Sequence, residues 1–167
     1  MLKWIVIVVA LLVLLPLLAG RLGWLHGPAP TRLGVVDGRL KPPSNTPNSV
    51  SSQADLWPGH PQREVARIDP FAAGAAAGGA DAAWARLRRV VAAAPGARIV
   101  RVEGDYLYAQ FTTRWLGFMD DVEFWLDRRA GVIHVRSASR LGRRDFGVNR
   151  ARVEALRAEV ARAGAGG

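Results

Sequence analysis

The sequence contains no cysteine. Without a thiol the chain has no disulfide, no thiolate zinc site, no cysteine nucleophile and no lipid attached through an N-terminal cysteine. Histidine is scarce as well: only His26, His60 and His134 occur, which excludes a histidine-rich metal site. We therefore expect no cofactor.

Acidic residues are few, 14 against 23 basic ones, and the formal net charge is +9. A basic balance is typical of proteins that bind nucleic acid or an anionic membrane surface. The arginines are nevertheless scattered, and no run of five basic residues occurs. A GC-rich genome produces the same alanine-, glycine- and arginine-rich composition. Because carboxylates share the predicted strand face of the aromatic residues that could stack bases, we expect no nucleic-acid partner.

Residues 4–20 form an apolar run without charge, WIVIVVALLVLLPLLAG. On a helix Trp4 and Trp24 would lie about 30 Å apart, the thickness of the hydrocarbon layer, and tryptophan favours the membrane interface. A cleaved signal peptide has a shorter apolar region and a small-x-small cleavage site. Residues 18–21, Leu-Ala-Gly-Arg, match such a site poorly. The run therefore predicts an uncleaved single-pass transmembrane anchor within residues 1–25.

The orientation of this anchor stays open. Arg21, Arg32, Arg39 and Lys41 follow the run, and the positive-inside rule would place them in the cytoplasm. Long domains often translocate regardless of flanking charge. We expect a protein of the bacterial inner membrane with a periplasmic soluble domain.

The rest of the chain predicts an α+β domain. Residues 26–57, rich in Gly, Pro, Ser and Asn, predict a linker that becomes an extended segment; the domain follows over 58–163 and a frayed tail over 164–167. Strands are predicted at residues 64–69, 98–103, 106–115, 121–127 and 132–138.

Two amphipathic helices are predicted, and residues 71–79 between the first strand and the first helix are predicted as a loop. The first helix begins near Asp81, and the second begins with Asn149 as N-cap. Their apolar stripes are Trp84, Leu87, Val91 and Ala94, and then Val153, Leu156 and Val160. The order β-α-β-β-β-β-α predicts an antiparallel β-meander sheet packed by two helices, behind the N-terminal transmembrane helix.

Three motifs carry a resemblance to a known family. They are residues 120–124, DDVEF, residues 135–140, VRSASR, and residues 146–150, FGVNR. With them, residues 40–161 resemble the family catalogued as domain of unknown function 1499, found in bacteria and plastid-bearing eukaryotes. The resemblance implies an envelope-associated α+β domain, often behind a membrane or export segment, and implies no particular activity.

The upstream motif of residues 47–52, PNSVSS, resembles the segment by which the family's domain begins. Relatives usually have cysteine at the position of Ser49 and another near Pro43, which implies a local disulfide or staple. This chain lacks both cysteines, so that pair cannot be a shared catalytic centre.

Period-two alternation predicts one polar face of the sheet. Val122, Phe124 and Leu126 would point to the core, so their neighbours point away. The predicted polar face consists of Tyr106, Tyr108, Gln110, Thr112, Arg114, Asp121, Glu123, Trp125, His134 and Arg136. An ordinary solvated face, with opposite charges pairing across strands, has the same alternation. Tyrosine and tryptophan among the charges favour a site, and both interpretations remain.

The arginine-rich loop after the last strand is a second candidate. Its anion-binding residues would be Arg136, Arg140, Arg143, Asn149 and Arg150. Guanidinium groups and the free N–H groups of a helix N-terminus both suit phosphate or carboxylate. Alternatively, Asp145 and Glu123 neutralise these arginines internally, and Ser137 and Ser139 are hydrogen-bonding spacers. Together these features predict a binding or structural module of the cell envelope, with the membrane and an anionic envelope ligand or a protein as partners.

The alternative is a small hydrolase or metal-dependent enzyme that uses Asp121, Glu123 and His134. Asp120 would have to join as a metal ligand, yet it points to the opposite strand face from Asp121. Ser137, the candidate nucleophile, falls on the side opposite His134. Whether the protein is an enzyme therefore stays open.

Overall fold

One antiparallel sheet forms the centre of the domain in the computed structural model, which describes residues 1–165. Its strands are β1 (Ser49–Ser51), β2 (Phe71–Ala72), β3 (Ala97–Glu103), β4 (Tyr106–Thr112), β5 (Met119–Asp127) and β6 (Val132–Ser139). They lie in the order β1-β6-β5-β4-β3, and β2 pairs with another part of β6. Strands β3 to β6 are the predicted meander.

The helices of the described chain are α1 (Leu2–Arg21), α2 (Arg63–Ala66), α3 (Ala80–Ala93) and α4 (Val148–Ala165), with 3-10 turns at Ala54–Leu56 and Ala75–Ala77. Helices α3 and α4 pack together on one face of the sheet. The predicted α+β class and the covering by two helices are confirmed. Residues 164–165 are still helical, and the rest of the predicted frayed tail, 166–167, lies outside the described residues.

The predicted helix stripes build the core. Trp84, Leu87 and Val91 of α3 are buried, as are Val153 and Leu156 of α4. Burial of a side chain of this size stabilises the fold by about 1.5–3 kcal/mol. The sheet side of the same cluster consists of Leu107, Ala109, Phe111, Val122, Phe124, Leu126, Ile133 and Val135. The inward alternation predicted for β5 and β6 is therefore confirmed.

The strand predicted at residues 64–69 is wrong. Residues 63–66 form α2, and only Arg67 makes a strand-like bridge, to Ser51. Arg67 and Arg63 both pair with Asp55, and Val65 is exposed, so the buried alternation is too short for a strand. The first strand is instead β1, in the segment predicted as extended.

The loop predicted for residues 71–79 also needs correction, because it begins with β2. Phe71 pairs with Ile133 of β6, and its ring lies edge-on 5.9 Å from that of Phe124. One large apolar side chain thus anchors a segment otherwise made of alanine and glycine.

Residues 33–42, called the strap below, cross the sheet face opposite the helices. Val36 and Arg39 pair with each other around Asp37 and Gly38, whose positive φ angles of 50° and 69° make a type I′ turn. Leu40, only 1% exposed, packs against tyrosines of β4. The second face of the sheet is therefore covered by the chain itself.

Helix α1 is long and apolar enough to cross a membrane. Its 20 residues span about 30 Å, and its leucines and valines are exposed along its length. Gly20, near its end, is buried against the backbone of Leu116. The helix is compatible with the predicted single-pass membrane anchor.

Candidate functional site

The strand registers bring most of the predicted polar face together. Tyr108 of β4 lies opposite Glu123 of β5, which lies opposite Arg136 of β6. In the next row, Tyr106, Trp125 and His134 are aligned in the same way. Arg114 lies beyond the end of β4, with its guanidinium 5.1 Å from the ring centroid of Trp115, and so does not join these rows.

This face is not solvated, contrary to the simpler interpretation of its alternation. Glu123 is 0% exposed, and Arg136 and Tyr106 are 5% and 7% exposed. The strap supplies the cover: Leu33, Val35 and Leu40 pack against the aromatic residues of this face. The polar groups must therefore find partners inside the protein.

Glu123 is held from three directions. Its Oε1 accepts hydrogen bonds from the Tyr106 hydroxyl at 2.8 Å and from Gly34 N of the strap at 2.9 Å. Its Oε2 lies 3.6 Å from the Arg136 guanidinium and has no hydrogen-bond partner among the described residues. Arg136 in turn donates from Nε to the Pro42 carbonyl at 2.9 Å. The pair ties the strap to the sheet.

Burial governs the protonation of this pair. It raises the pKa of Glu123, and the charge of Arg136 and the hydrogen bonds from Gly34 and Tyr106 offset only part of that rise. Burial also lowers the pKa of Arg136, against the attraction of Glu123 and Asp121. The pKa of Tyr106 is raised far above its ordinary value, first by burial and then by the neighbouring Glu123. The tyrosine therefore remains a hydrogen-bond donor.

A second network surrounds Asp121. Arg140 donates to it from Nε and Nη2, each at 2.8 Å, and both side chains are at most 7% exposed. Tyr108 donates its hydroxyl to the same carboxylate at 2.5 Å and accepts a hydrogen bond from Gln110 at 2.9 Å. The bidentate geometry is the strong form of arginine–carboxylate contact. Arg140 is thus neutralised by a residue of the sheet.

His134 lies at the edge of this face. Its Nδ1 is hydrogen bonded to the Ser52 hydroxyl at 3.2 Å, and its ring stacks on Trp125 with centroids 5.4 Å apart. Burial lowers its pKa. Within residues 1–165 no hydrogen bond joins His134 to Asp121 or Glu123. The acid–base pair that the enzymatic alternative requires, His134 with one of these carboxylates, is therefore not formed.

Asp120 and Ser137 lie on the helix side of the sheet, as predicted. Asp120 forms an ion pair with Arg152 of α4, and Ser137 donates a hydrogen bond to the Asn149 side chain. Asp120 and Asp121 therefore belong to different faces. In the described part of the chain no three His, Asp or Glu residues are arranged to hold a metal ion.

Asn149 is not the N-cap of the last helix, which begins one residue earlier, at Val148. The capping group is Asp145, whose carboxylate accepts hydrogen bonds from Gly147 N at 3.1 Å and Asn149 N at 2.9 Å. Burial acts to raise the pKa of Asp145, but these hydrogen bonds outweigh it and the net shift is downward. The prediction missed a better acceptor four residues upstream.

Asn149 instead connects three parts of the fold from a buried position. Its amide nitrogen donates to the Asn48 carbonyl at 3.0 Å and to the Ser139 hydroxyl at 2.9 Å. Its amide oxygen accepts a hydrogen bond from Arg152 at 2.9 Å. The residue thus joins the start of β1, the end of β6 and α4.

The predicted anion-binding arginines divide into two groups. Arg136 and Arg140 face inward and are paired with carboxylates. Arg143 and the neighbouring Arg144 are exposed, and no carboxylate pairs with either in the part of the chain that the structure describes. Arg150 is exposed and donates from Nη2 to the carbonyls of residues 65 and 67.

A cavity of about 570 Å³ opens beside the outward group, between the loop, β1 and α2. It is lined by Pro47, Ser49, Val50, Gln62, Val65, Arg144, Asp145, Phe146, Gly147 and Arg150. Phe146 is 94% exposed and has a positive φ of 53°. The cavity therefore combines two guanidinium groups, the Asp145 carboxylate that caps α4 and an exposed aromatic ring.

Sequence reasoning missed the strap as part of this region. A signal for it was present: Asp37-Gly38, which follows Val35-Val36 and precedes Arg39-Leu40, is a strong hairpin pattern. Arg152 was missed as well, and nothing in the period of α4 marks it, because its partner Asp120 lies on a distant strand.

The comparisons with known proteins give one result. The model of a family described as "Protein of unknown function (DUF1499)" matches residues 39–160. The match includes both carboxylate–arginine networks, the loop and most of α4. Neither a curated protein nor a solved structure matches the chain.

Proposed function

We propose that this chain, which belongs to the DUF1499 family, is a single-pass membrane-anchored module of the bacterial cell envelope whose arginine loop accepts an anionic ligand. One observation carries the proposal: Arg136 and Arg140 are neutralised inside the fold, whereas Arg143, Arg144 and Arg150 are exposed and the last two line a cavity.

Helix α1 supports the membrane anchor. Its apolar side chains are exposed, and a continuous apolar surface of this length is unfavourable in water. A bilayer would cover that surface. The family resemblance supports the envelope location and, with it, a periplasmic domain.

The chemistry around the cavity supports an anion as ligand. Guanidinium groups bind phosphate and carboxylate through paired N–H donors. Arg144 and Arg150 supply two such groups at the cavity, and the Asp145 carboxylate in its lining is already bonded to the first turn of α4. Arg150 uses Nη2 for the two backbone carbonyls, which fixes its position at the rim. A phosphate- or carboxylate-bearing envelope molecule has the complementary charge.

A small hydrolase or metal-dependent enzyme is the competing proposal. It requires Asp121, Glu123 and His134 to converge on one open site. Asp121 and Glu123 are buried and occupied by arginines and tyrosines, and His134 contacts Ser52 and Trp125. The geometry therefore favours the binding module.

Thermal unfolding of the full chain in non-ionic detergent tests the anion site. Pyrophosphate and citrate are added at constant ionic strength, with chloride as the reference anion. We expect one of them to raise the midpoint, because a ligand at a hundred times its Kd stabilises the folded state by about 2.7 kcal/mol. The double variant Arg143→Ala/Arg144→Ala should lose this rise.

The matched control is Arg88→Ala/Arg98→Ala, which removes two other exposed arginines and therefore has the same net charge as Arg143→Ala/Arg144→Ala. It should keep the rise. An equal response in both double variants, or no response to either anion in the wild type, would contradict the anion site.

A further inference from the structure

Two glycines hold the end of α1 against the loop between β4 and β5. A Cβ on Gly20 would overlap the carbonyl oxygen of Leu116, and a Cβ on Gly117 would lie 2.7 Å from the Gly20 carbonyl oxygen. Contact this close requires that the two backbones touch. The loop of residues 113–118 therefore contacts the C-terminal end of α1.

The segment after α1 continues along the same end of the sheet. A Cβ on Gly27 would lie 2.8 Å from Leu141 Cγ, just beyond the end of β6. Because the strands are antiparallel, β4 ends, β5 begins and β6 ends at this one side, and Arg140 N is bonded to Met119 O there. We call it the helix-proximal end.

Exposed aromatic and apolar side chains are found at the helix-proximal end. Trp115 is 70% exposed and Phe118 is 36% exposed, although the domain has a closed core elsewhere. Trp24, directly after α1, is 74% exposed. Arg114 stacks its guanidinium over the Trp115 ring at 5.1 Å. Tryptophan and arginine in this arrangement suit the layer between hydrocarbon and water.

The exposed charge next to α1 is basic. Residues 21–31 and 106–118 contain no carboxylate, and their charged side chains are Arg21 and Arg114. Asp120 and Asp121, at the start of β5, are buried and paired with Arg152 and Arg140. The opposite end mixes Glu103, Asp105 and Asp127 with arginines. Basic residues next to a transmembrane helix are attracted to anionic lipid head groups.

We infer that the helix-proximal end of the domain lies on the bilayer surface, with Trp115 and Phe118 in the head-group layer and Arg114 beside anionic lipid. The inference rests on the proposed anchor, because the bilayer must surround α1. It is independent of which side of the membrane the domain occupies. The lipid surface is then a partner of the folded domain as well as the solvent of the helix.

The absence of cysteine allows a direct test in the full chain. Single cysteines are introduced as Trp115→Cys, Arg129→Cys and Leu11→Cys, and each is labelled with a nitroxide. The protein is reconstituted in vesicles of phosphatidylethanolamine and phosphatidylglycerol at three to one. Power-saturation electron paramagnetic resonance then gives the depth of each label.

Each position has its own purpose. Leu11 is in the middle of α1 and reports the anchor, and Arg129 lies in the β5–β6 turn at the opposite end of the sheet. Phe118→Cys is a second probe of the loop if the Trp115 variant unfolds at a lower temperature than the wild type.

We expect the Leu11 label in the hydrocarbon, the Trp115 label within the interfacial layer of about 5–8 Å, and the Arg129 label in water. A deep Leu11 label with a Trp115 label as water-accessible as that of Arg129 would overturn the inference and leave the anchor intact. A water-accessible Leu11 label would overturn the anchor, and the inference with it.

Discussion

The ion pair of Glu123 and Arg136 is the residue-scale feature with the clearest energetic consequence. A buried ion pair adds little net stability, because desolvation offsets most of the attraction, but removal of one partner costs about 3–5 kcal/mol. Arg136→Met should therefore lower the free energy of unfolding by that amount, since it leaves the Glu123 carboxylate uncompensated. Glu123→Gln/Arg136→Met should recover most of the loss. Chemical denaturation of the full chain measures both.

The same substitution should change the pH dependence of stability. The pKa of Glu123 is already raised above its ordinary value of 4.5. The folded state therefore keeps a proton on Glu123 at a pH where the unfolded chain has released it. This favours the folded state at low pH, and the stability is lost as pH rises through the raised pKa. Arg136→Met removes the charge that lowers this pKa. The difference in unfolding free energy between wild type and Arg136→Met should therefore shrink from pH 8 toward pH 5. A difference that does not change with pH would argue against a buried Glu123 charge.

For single residues, the sequence predicted the face of the sheet to which a side chain points, but not whether that face is buried. Alternation alone assigned Asp121, Glu123 and His134 to one face and Asp120 and Ser137 to the other, and the structure agrees. It could not predict that the first face is buried, because the cover comes from the strap, more than 60 residues earlier in the chain. Gly34 and Pro42 of the strap contact the Glu123–Arg136 pair through backbone atoms only, and no side-chain pattern reveals such contacts.

Among the elements, the junction of β1, β6 and α4 depends on one side chain. Asn149→Ala would leave the Asn48 carbonyl, the Ser139 hydroxyl and the Ser137 hydroxyl short of partners in a buried site. An unsatisfied buried polar group costs about 1–3 kcal/mol, so the total loss should reach about 3 kcal/mol. The exposed Asn45→Ala is the control and should stay within about 0.5 kcal/mol of wild type. Similar midpoints of thermal unfolding for the two variants would contradict this role.

Elements with a long, regular period were predicted well. The α3 stripe, the α4 stripe and the four strands of the meander all carry repeated apolar side chains that one face of the sheet must bury. The predictions of the short elements were wrong. Helix α2 is a single turn, and the ion pairs of its Arg63 and the following Arg67 with Asp55 are exposed and contribute little. Strand β2 is anchored by the contact of Phe71 with Phe124 of β5. That contact is tertiary, so local sequence does not specify it.

For the whole molecule, the proposed membrane anchor leads to a prediction about the location of the domain. We expect alkaline phosphatase fused after Gly167 to be active, because the enzyme works only after export, and a cytoplasm-fluorescent protein at the same position to stay dark. Deletion of residues 1–25 is the control and should abolish phosphatase activity. Fluorescence of the full-length fusion without phosphatase activity would place the domain in the cytoplasm, as the basic residues after α1 suggest.

The pairing of β1 with β6 has a consequence for biosynthesis. Ser52 bonds to residue 135, 83 positions later, and Asn149 reaches the Asn48 carbonyl across 101 positions. At about 5–20 residues per second, the first strand leaves the ribosome about 5–20 s before its last partner is made. Helix α3 and strands β3 to β5 can form during that interval, while β1 still lacks its partner β6. Strand β6 therefore completes the sheet, and a nascent chain that stops before β6 leaves both β1 and the edge of β5 unpaired.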